Sequence, residues 1–282
     1  MRHLVIIPAY NEEENINRAI QSIVAQTITP TRLVIVDDGS TDQTANILQS
    51  LSDQYDWMKI VTNKNKDPRA TGAKIVRAFN LGLDSENLED YDLISKFDAD
   101  LVFPNNYFQK IIGSFQDNKE IGLAGGICVI QEDGKWKEEI VSKGDHIRGA
   151  LKSYRREAFQ QMGGLKSFMG WDSADEFILR FHQWGIKRLP YLKVKHYRET
   201  NQLNGWVKTS RLNAEVFHNL DYGLFIGTTS SLKRGIVNKP YILSGILTFL
   251  YFCKGYLNSN RRKLDPEIGR FVRAYRLKSI LK

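Results

Sequence analysis

Cysteine is scarce: the 282-residue chain has two, Cys128 and Cys253. Two thiols make no disulfide framework, and their separation matches no metal-site spacing, so a reduced, cytosolic setting is expected. Met1-Arg2-His3 is followed by too short an apolar run for a signal peptide, and no cleavage site follows it. No internal repeat and no low-complexity stretch occurs. The first apolar run is not followed by Gly-x-Gly-x-x-Gly, and no Gly-x-x-x-x-Gly-Lys-Ser/Thr loop is present. These absences argue against a nicotinamide dehydrogenase and a P-loop ATPase. The uncharged run 241–253 falls short of the roughly 20 residues that a membrane-spanning helix needs.

What is present is globular. Hydrophobic residues make up 42% and charged residues 26%, which excludes long disorder and fibrous folds. The length can bury a sizeable core. The net charge of +8 is uneven, because residues 231–282 hold 12 Lys or Arg and only two acids, Asp265 and Glu267. That segment is therefore +10, and the remainder is 8 − 10 = −2. A basic protein invites a nucleic-acid reading, but here the basicity belongs to one terminal segment.

The first half alternates strand and helix signals. Residues 4–7 and 33–36 are short apolar runs of the kind that form buried parallel strands, and 59–61 and 93–97 read as a third and a fourth strand. Residues 15–24 and 72–83 carry apolar side chains at helical spacing, and Ser40 or Thr41 can cap a helix running through Leu48. Such alternation predicts right-handed βαβ units and a mostly parallel sheet. The second half is more irregular. A strand is expected over 123–130, a loop or hairpin over 131–144 and a short helix over 158–162. A further helix is expected from Trp171 through Trp184, with Asp172 at its N-cap, Asp175 as capping-box partner and Gly185 as its stop. Pro240 suits a helix start, and Asp265-Pro266-Glu267 begins a last helix.

In open α/β sheets ligands bind outside the carboxyl ends of the strands. Each strand in the first half ends in polar or acidic residues: Tyr10 to Glu12, Asp37-Asp38, and Asp98 with Asp100. Acids gathered on one rim repel each other unless a cation or a hydrogen-bonding ligand lies between them. Two carboxylates at i and i+2 after a strand can hold a divalent cation against a diphosphate, since hard cations prefer oxygen ligands. A carboxylate at Asp37 or Asp38 can accept from a ribose hydroxyl or a base N–H, while Gly39 lets the backbone turn. Tyr10 can stack on a base, and Glu12 can meet ribose. Arg69, Lys74 and Arg77 flank the third crossover and can contact phosphate.

The segments PAYNEEENI (8–16), VDDGSTD (36–42), KFDADL (96–101) and GWDSADE (170–176), in this order and spacing, resemble the inverting glycosyltransferases of family 2. The resemblance runs from about residue 3 to 230 and is similar to a bacterial branch acting on surface or exopolysaccharide glycans. It implies an α/β GT-A fold: a Rossmann-like, mostly parallel central sheet with flanking helices, plus a C-terminal helical, hydrophobic-basic appendage. The implied division is a transferase domain over 1–230 (a nucleotide-binding half, 1–102, and an acceptor half, 103–230) and a tail over 231–282. It implies sugar transfer from a nucleotide-diphosphate sugar to a glycan or lipid-linked acceptor hydroxyl, with inversion and with Mg²⁺ or Mn²⁺. By motif match, Pro8, Tyr10, Glu12, Asp37 and Asp38 line the nucleoside pocket, and Asp98 meets ribose or the metal shell. Asp100 meets the metal, and His196 is a further metal or diphosphate contact, with Arg198 beside it. The family's base is an acid at a helix start after the second carboxylate pair, which leaves Asp172 or Asp175, with Asp172 favoured.

Two other readings stand beside this one. A sugar-nucleotide-forming nucleotidyltransferase would need an N-terminal glycine-rich loop with Arg and Lys, which residues 8–15 lack. A non-catalytic nucleotide-sugar-binding protein would not need all the acids kept. For the tail, the apolar Ile242, Leu243, Leu247, Phe249 and Leu250 among the basic residues argue against nucleic acid. They fit an anionic membrane surface, and thus a cytoplasmic protein peripheral to the inner face of the plasma membrane. An ordinary core helix is the plainer alternative for 241–253.

Overall fold

The structure, a computed structural model, describes residues 1–63, 73–139, 144–197, 205–257 and 263–280. Arg69, Arg198, Arg261 and Arg262 lie outside the described residues. The chain divides into two compact units, residues 1–166 with 182–199, and residues 167–181 with 200–282.

The first unit is built on a nine-stranded sheet ordered β3-β2-β1-β4-β8-β6-β9-β5, with β7 paired to β6. The strands are β1 (His3–Ala9), β2 (Arg32–Asp37), β3 (Met58–Thr62), β4 (Leu93–Phe97), β5 (Leu101–Val102), β6 (Ile121–Glu132), β7 (Lys135–Glu138), β8 (Leu151–Arg155) and β9 (Gly185–His196). From β3 to β4 every pairing is parallel; β8 then joins antiparallel to both β4 and β6, and β9 runs parallel to β6. Leu4 to Ile7 and Leu33 to Val36 are fully buried, as continuous apolar strands covered on both faces require. Around them lie α1 (Ile16–Val24), α2 (Thr44–Ser52), α3 (Ala73–Asp84), α4 (Tyr107–Asp117) and α5 (Arg156–Gln161). The stretch after Ile130 forms the hairpin of β6 and β7, with Asp133 and Gly134 at positive φ in the turn.

Helix α2 differs from expectation. It starts at Thr44 rather than after Ser40 or Thr41 and runs to Ser52. Its first-turn N–H at Thr44 donates to Asp42 Oδ1 at 3.0 Å, so the short Asp42 side chain reaches the orphan donor. The freed Ser40 and Thr41 serve the neighbouring loop instead.

The second unit contains α6 (Trp171–Phe181), α7 (Trp206–Asn219), α8 (Gly223–Val237), α9 (Leu243–Leu257) and α10 (Pro266–Ile280). Helix α6 begins at Trp171, as expected, but Asp172 lies inside its first turn rather than at the N-cap. It also ends at Phe181, not Trp184. Trp184 belongs to the first unit, where its ring packs on Gly122 and its indole N–H donates to Gln161 at 2.7 Å. Among the described residues, no helix is long and apolar enough to cross a membrane.

Candidate active site

The parallel half of the sheet ends in two loops that are tied to each other. Asn11, at φ +53°, donates its N–H to Ser40 Oγ at 3.0 Å, and its side-chain oxygen accepts the Thr41 N–H at 2.8 Å. Gly39 takes φ +80°, a conformation that side chains disfavour, and this bends the chain after Asp38. Asp37 is buried and caps the bend from below by accepting the Ser40 N–H at 3.0 Å. Asp38 is held by Asn63, whose amide donates to its carboxylate at 2.6 Å. Glu12 is buried, accepts from the Asn15 side chain at 3.1 Å, and its N–H donates to Thr44 Oγ1 at 2.8 Å.

Together these loops border a cleft of about 640 Å³. Pro8, Tyr10, Glu12, Asp38, Lys74, Arg77, Asp98 and Asp100 all line it, as do Gly39, Thr41 and Asn63. Asp37 is not among the lining residues. Tyr10 presents an exposed ring. The volume lies in the range of small-ligand sites.

At one end of the cleft the acids meet cations. Lys96, buried within β4, hydrogen-bonds Asp98 and donates to the Gly149 carbonyl at 3.1 Å. The short strand β5 pairs with the end of β9, and this sets His196 beside Asp100, Nε2 to Oδ2 3.3 Å. The other ring nitrogen of His196 lies 3.2 Å from Glu139, whose second oxygen pairs with Arg148 at 3.1 Å. Burial works against a charged imidazole. Hydrogen bonds to Asp100 and Glu139, with the charges of Asp100 and Asp98, outweigh it and push the His196 pKa up to about 9. Burial likewise works against ionised Asp98, but Lys96, then His196 and Arg148, hold its carboxyl below the usual range.

The arrangement is a pocket that holds positive charge. Asp98, Asp100 and His196 place three ligand atoms within 4.8 Å of one another. Asp100 Oδ1 is buried and has no hydrogen-bond partner among the described residues. An orphaned carboxylate oxygen beside a second carboxylate and an imidazole is a donor set suited to Mg²⁺ or Mn²⁺. Cys128, Glu139 and His196 form a second such group. Burial pushes the Cys128 thiol up to about 12; hard cations such as Mg²⁺ and Mn²⁺ prefer oxygen to sulfur, so the set with two carboxylates fits them better.

The acids of α6 have different surroundings. Asp172 is partly exposed, whereas Asp175 is 1% exposed and accepts the Glu176 N–H at 2.6 Å. Sequence reading did not reach Asn63, Glu139 or the pairing of Lys96. Lys96 carried a signal: a lysine inside an apolar strand, two residues before an acid, needs a buried counter-charge.

Comparison with known proteins is consistent with this geometry. The family model described as Glycosyl transferase family 2 matches residues 4–169. The minor teichoic acid biosynthesis protein GgaA of Bacillus subtilis is 31% identical over 289 residues, which cover 94% of this chain and 61% of that one. The chain spans about half the length of the curated relatives it matches. Two solved structures share the fold. S. aureus TarS 1-349 in complex with UDP has TM-score 0.58 at 12% identity, covering 93% of this chain and 73% of that one. The mannosyltransferase PcManGT from Pyrobaculum calidifontis, in complex with GDP-Man and Mn2+, has TM-score 0.58 at 14% identity, covering 100% and 81%.

Proposed function

The chain belongs to glycosyl transferase family 2, and from that premise we propose that it moves a sugar from a nucleotide-diphosphate sugar to an acceptor hydroxyl, with inversion and with a divalent cation. The observation that carries this reading is the acidic end of the cleft, where Asp100 keeps an unpartnered oxygen beside Asp98 and His196. Tyr10 offers its ring to the base. Asp38, oriented by Asn63, accepts from base or ribose, and Glu12 borders the same part of the cleft. Asp37 supports the loop that carries Asp38. Lys74 and Arg77 bring positive charge for the phosphates. Asp98, Asp100 and His196 would hold Mg²⁺ or Mn²⁺. When bound, that cation supplies Lewis-acid stabilisation of the departing diphosphate.

Inversion in one displacement needs a base for the acceptor hydroxyl. We assign it to Asp172, with Asp175 second, because a carboxylate that is 1% exposed is poorly placed to meet an incoming hydroxyl. The acceptor is a glycan or lipid-linked hydroxyl in bacterial cell-surface glycan synthesis, a reading supported by the relative named for teichoic acid biosynthesis. The working place is the cytoplasmic face of the plasma membrane.

A thermal-shift screen of UDP-, GDP- and dTDP-sugars with Mn²⁺ or Mg²⁺ tests the donor. A ligand at 100 times its Kd stabilises the fold by about 2.7 kcal/mol, so one nucleotide should stand out. Asp100→Asn should lose the cation-dependent part of the shift, with transfer reduced at least ~100-fold. Full transfer by that variant would remove the metal assignment. Asp172→Asn should keep the donor shift and lose turnover; if Asp175→Asn does so instead, the base is Asp175.

A further inference from the structure

Helices α8 and α9 form an antiparallel hairpin packed the wrong way round for water. Gly227 lies against Phe252, and Gly235 lies so close to Gly245 that a Cβ added at Gly245 would sit 2.8 Å from the Gly235 Cα. Ile242 N–H closes the turn onto the Gly235 carbonyl at 2.7 Å. Small residues fill the inside: Gly227, Ser231 and Gly235 on α8, and Ser244, Gly245 and Thr248 on α9 are buried. Their hydroxyls are satisfied within the hairpin, Ser231 to the Gly227 carbonyl at 2.7 Å and Thr248 to the Ser244 carbonyl at 2.6 Å. Ile226 and Phe252 are buried farther along the hairpin, but toward its turn the large apolar side chains point outward. Leu232, Ile236 and Val237 end α8, Ile242 lies in the turn, and Leu243 and Ile246 begin α9, all of them exposed. Ile236 and Ile242, at the tip, are 78% and 71% exposed.

A patch of this extent on a protein surface marks a surface that something covers. Small residues between helices with large apolar residues outside is the arrangement used where the surroundings are lipid. Charge identifies the kind of surface. Between Asp221 and Asp265 the sequence has no acid and seven basic residues, Lys233, Arg234, Lys239, Lys254, Arg261, Arg262 and Lys263. Of these, Lys233, Lys239 and Lys254 are exposed on the hairpin. A second copy of the same face would bring two like charges of this size together. An anionic surface would be attracted. At 15 residues each, α8 and α9 are about 22 Å long, short of a roughly 30 Å hydrocarbon core.

We propose that the α8–α9 hairpin is a membrane-docking element. Its apolar tip, residues 236–243, enters the interface of an anionic bilayer without spanning it, and Lys233 and Lys239 meet the lipid headgroups. The inference goes beyond the placement at a membrane given above by naming the element that makes contact. It does not rest on sugar transfer.

The test is flotation of the full chain with vesicles, without nucleotide sugar, so that its failure is separate from any failure of the transferase reading. Vesicles of phosphatidylcholine alone are compared with vesicles carrying one third phosphatidylglycerol. The wild-type chain should bind the anionic vesicles at least about tenfold better, since each basic residue near the surface adds roughly fivefold. Ile236→Glu/Ile242→Glu should abolish binding with an unchanged circular dichroism spectrum, because neither side chain is in the core. If that pair unfolds, Lys233→Glu/Lys239→Glu carries the test through loss of the anionic preference. Absence of wild-type binding to either vesicle would overturn the proposal. So would unaltered binding by the folded Glu pair, or a wild-type dimer in sedimentation that the Glu pair turns into a monomer without any lipid binding.

Discussion

Lys96 shows how one residue can be costly by itself and required by its neighbour. It is 1% exposed, inside a strand, with Asp98 and the Gly149 carbonyl as partners. Breaking a buried pair from one side leaves an uncompensated charge and costs about 3–5 kcal/mol. Asp98 is 28% exposed, so water recovers part of that. Lys96→Met should therefore destabilise by about 2 kcal/mol in urea unfolding, and Lys96→Met/Asp98→Asn by less than the sum of the two single changes. Additive effects would show that the pair is not coupled. His3 poses the opposite case, a titratable group buried neutral. Burial, then the charge of the N-terminus, lowers its pKa from 6.5 to about 3. Its Nε2 lies 2.7 Å from Ser95 Oγ, which in turn donates to Ser153 at 2.7 Å. Below pH 6.5 the unfolded chain takes up a proton that the folded chain refuses, so this stability is whole above 6.5 and is lost as pH falls toward 3. By pH 4.5 the loss is about 3 kcal/mol from this residue. His3→Gln, which keeps a donor for Ser95, should unfold with a shallower acid dependence between pH 6.5 and 4.5; parallel curves would show that His3 does not titrate this way. The strand-end acids Asp38, Asp98 and Asp100 were legible because a βαβ pattern places strand ends on one rim. Glu139 and Asn63 were not, since only tertiary pairing brings them to that rim.

At the scale of elements, legibility follows burial on both faces. Strands β1 and β2 are continuous apolar runs and announce themselves; β9 holds several Lys and Arg and alternates buried with exposed residues only over 192–196, so most of it shows no strand period. Helix α9 defeats the usual reading in another way, because it buries Ser244, Gly245 and Thr248 and exposes Leu243, Leu250 and Leu257. Close packing also hides from sequence which glycines matter. Gly82 in α3 faces β1 and β2, and a Cβ there would lie 2.8 Å from both Ile6 Cγ2 and Val36 Cγ2. Gly113 in α4 has nothing within 4 Å of the same position. Gly82→Ala should destabilise by about 1–3 kcal/mol through overpacking. Gly113→Ala should stabilise by about 0.5–1 kcal/mol, since helix propensity acts unopposed. Thermal melts of the two variants should move in opposite directions; equal shifts would remove the packing argument.

For the molecule as a whole, the charge partition of −2 and +10 follows sequence, but the compact units do not. Residues 167–181 leave the first unit to join residues 200–282, and 182–199 return to it. Helix α6, with both candidate bases, therefore completes its packing only when the C-terminal helix arrives. Phe177 meets Tyr275 edge-on at 5.8 Å, Phe181 meets Phe271 at 5.7 Å, and Arg180 lies 5.6 Å from the Tyr275 ring. Aromatic pairs of this geometry are worth about 0.5–1.5 kcal/mol each beyond area burial. A basic tail that serves only to bind a surface would leave α6 indifferent to these residues. Phe271→Ala/Tyr275→Ala should instead raise amide exchange in 171–181 by about tenfold or more, since each 1.4 kcal/mol is a factor of ten in a local opening equilibrium. Amides of β2 and β4 should keep their protection. If Asp172 is the base, the same variant should lose kcat with little change in donor KM, because the loosened helix carries the base and not the nucleotide pocket. Unchanged exchange in α6 would show that the C-terminal helix does not brace it. Faster exchange with full kcat would place the base elsewhere.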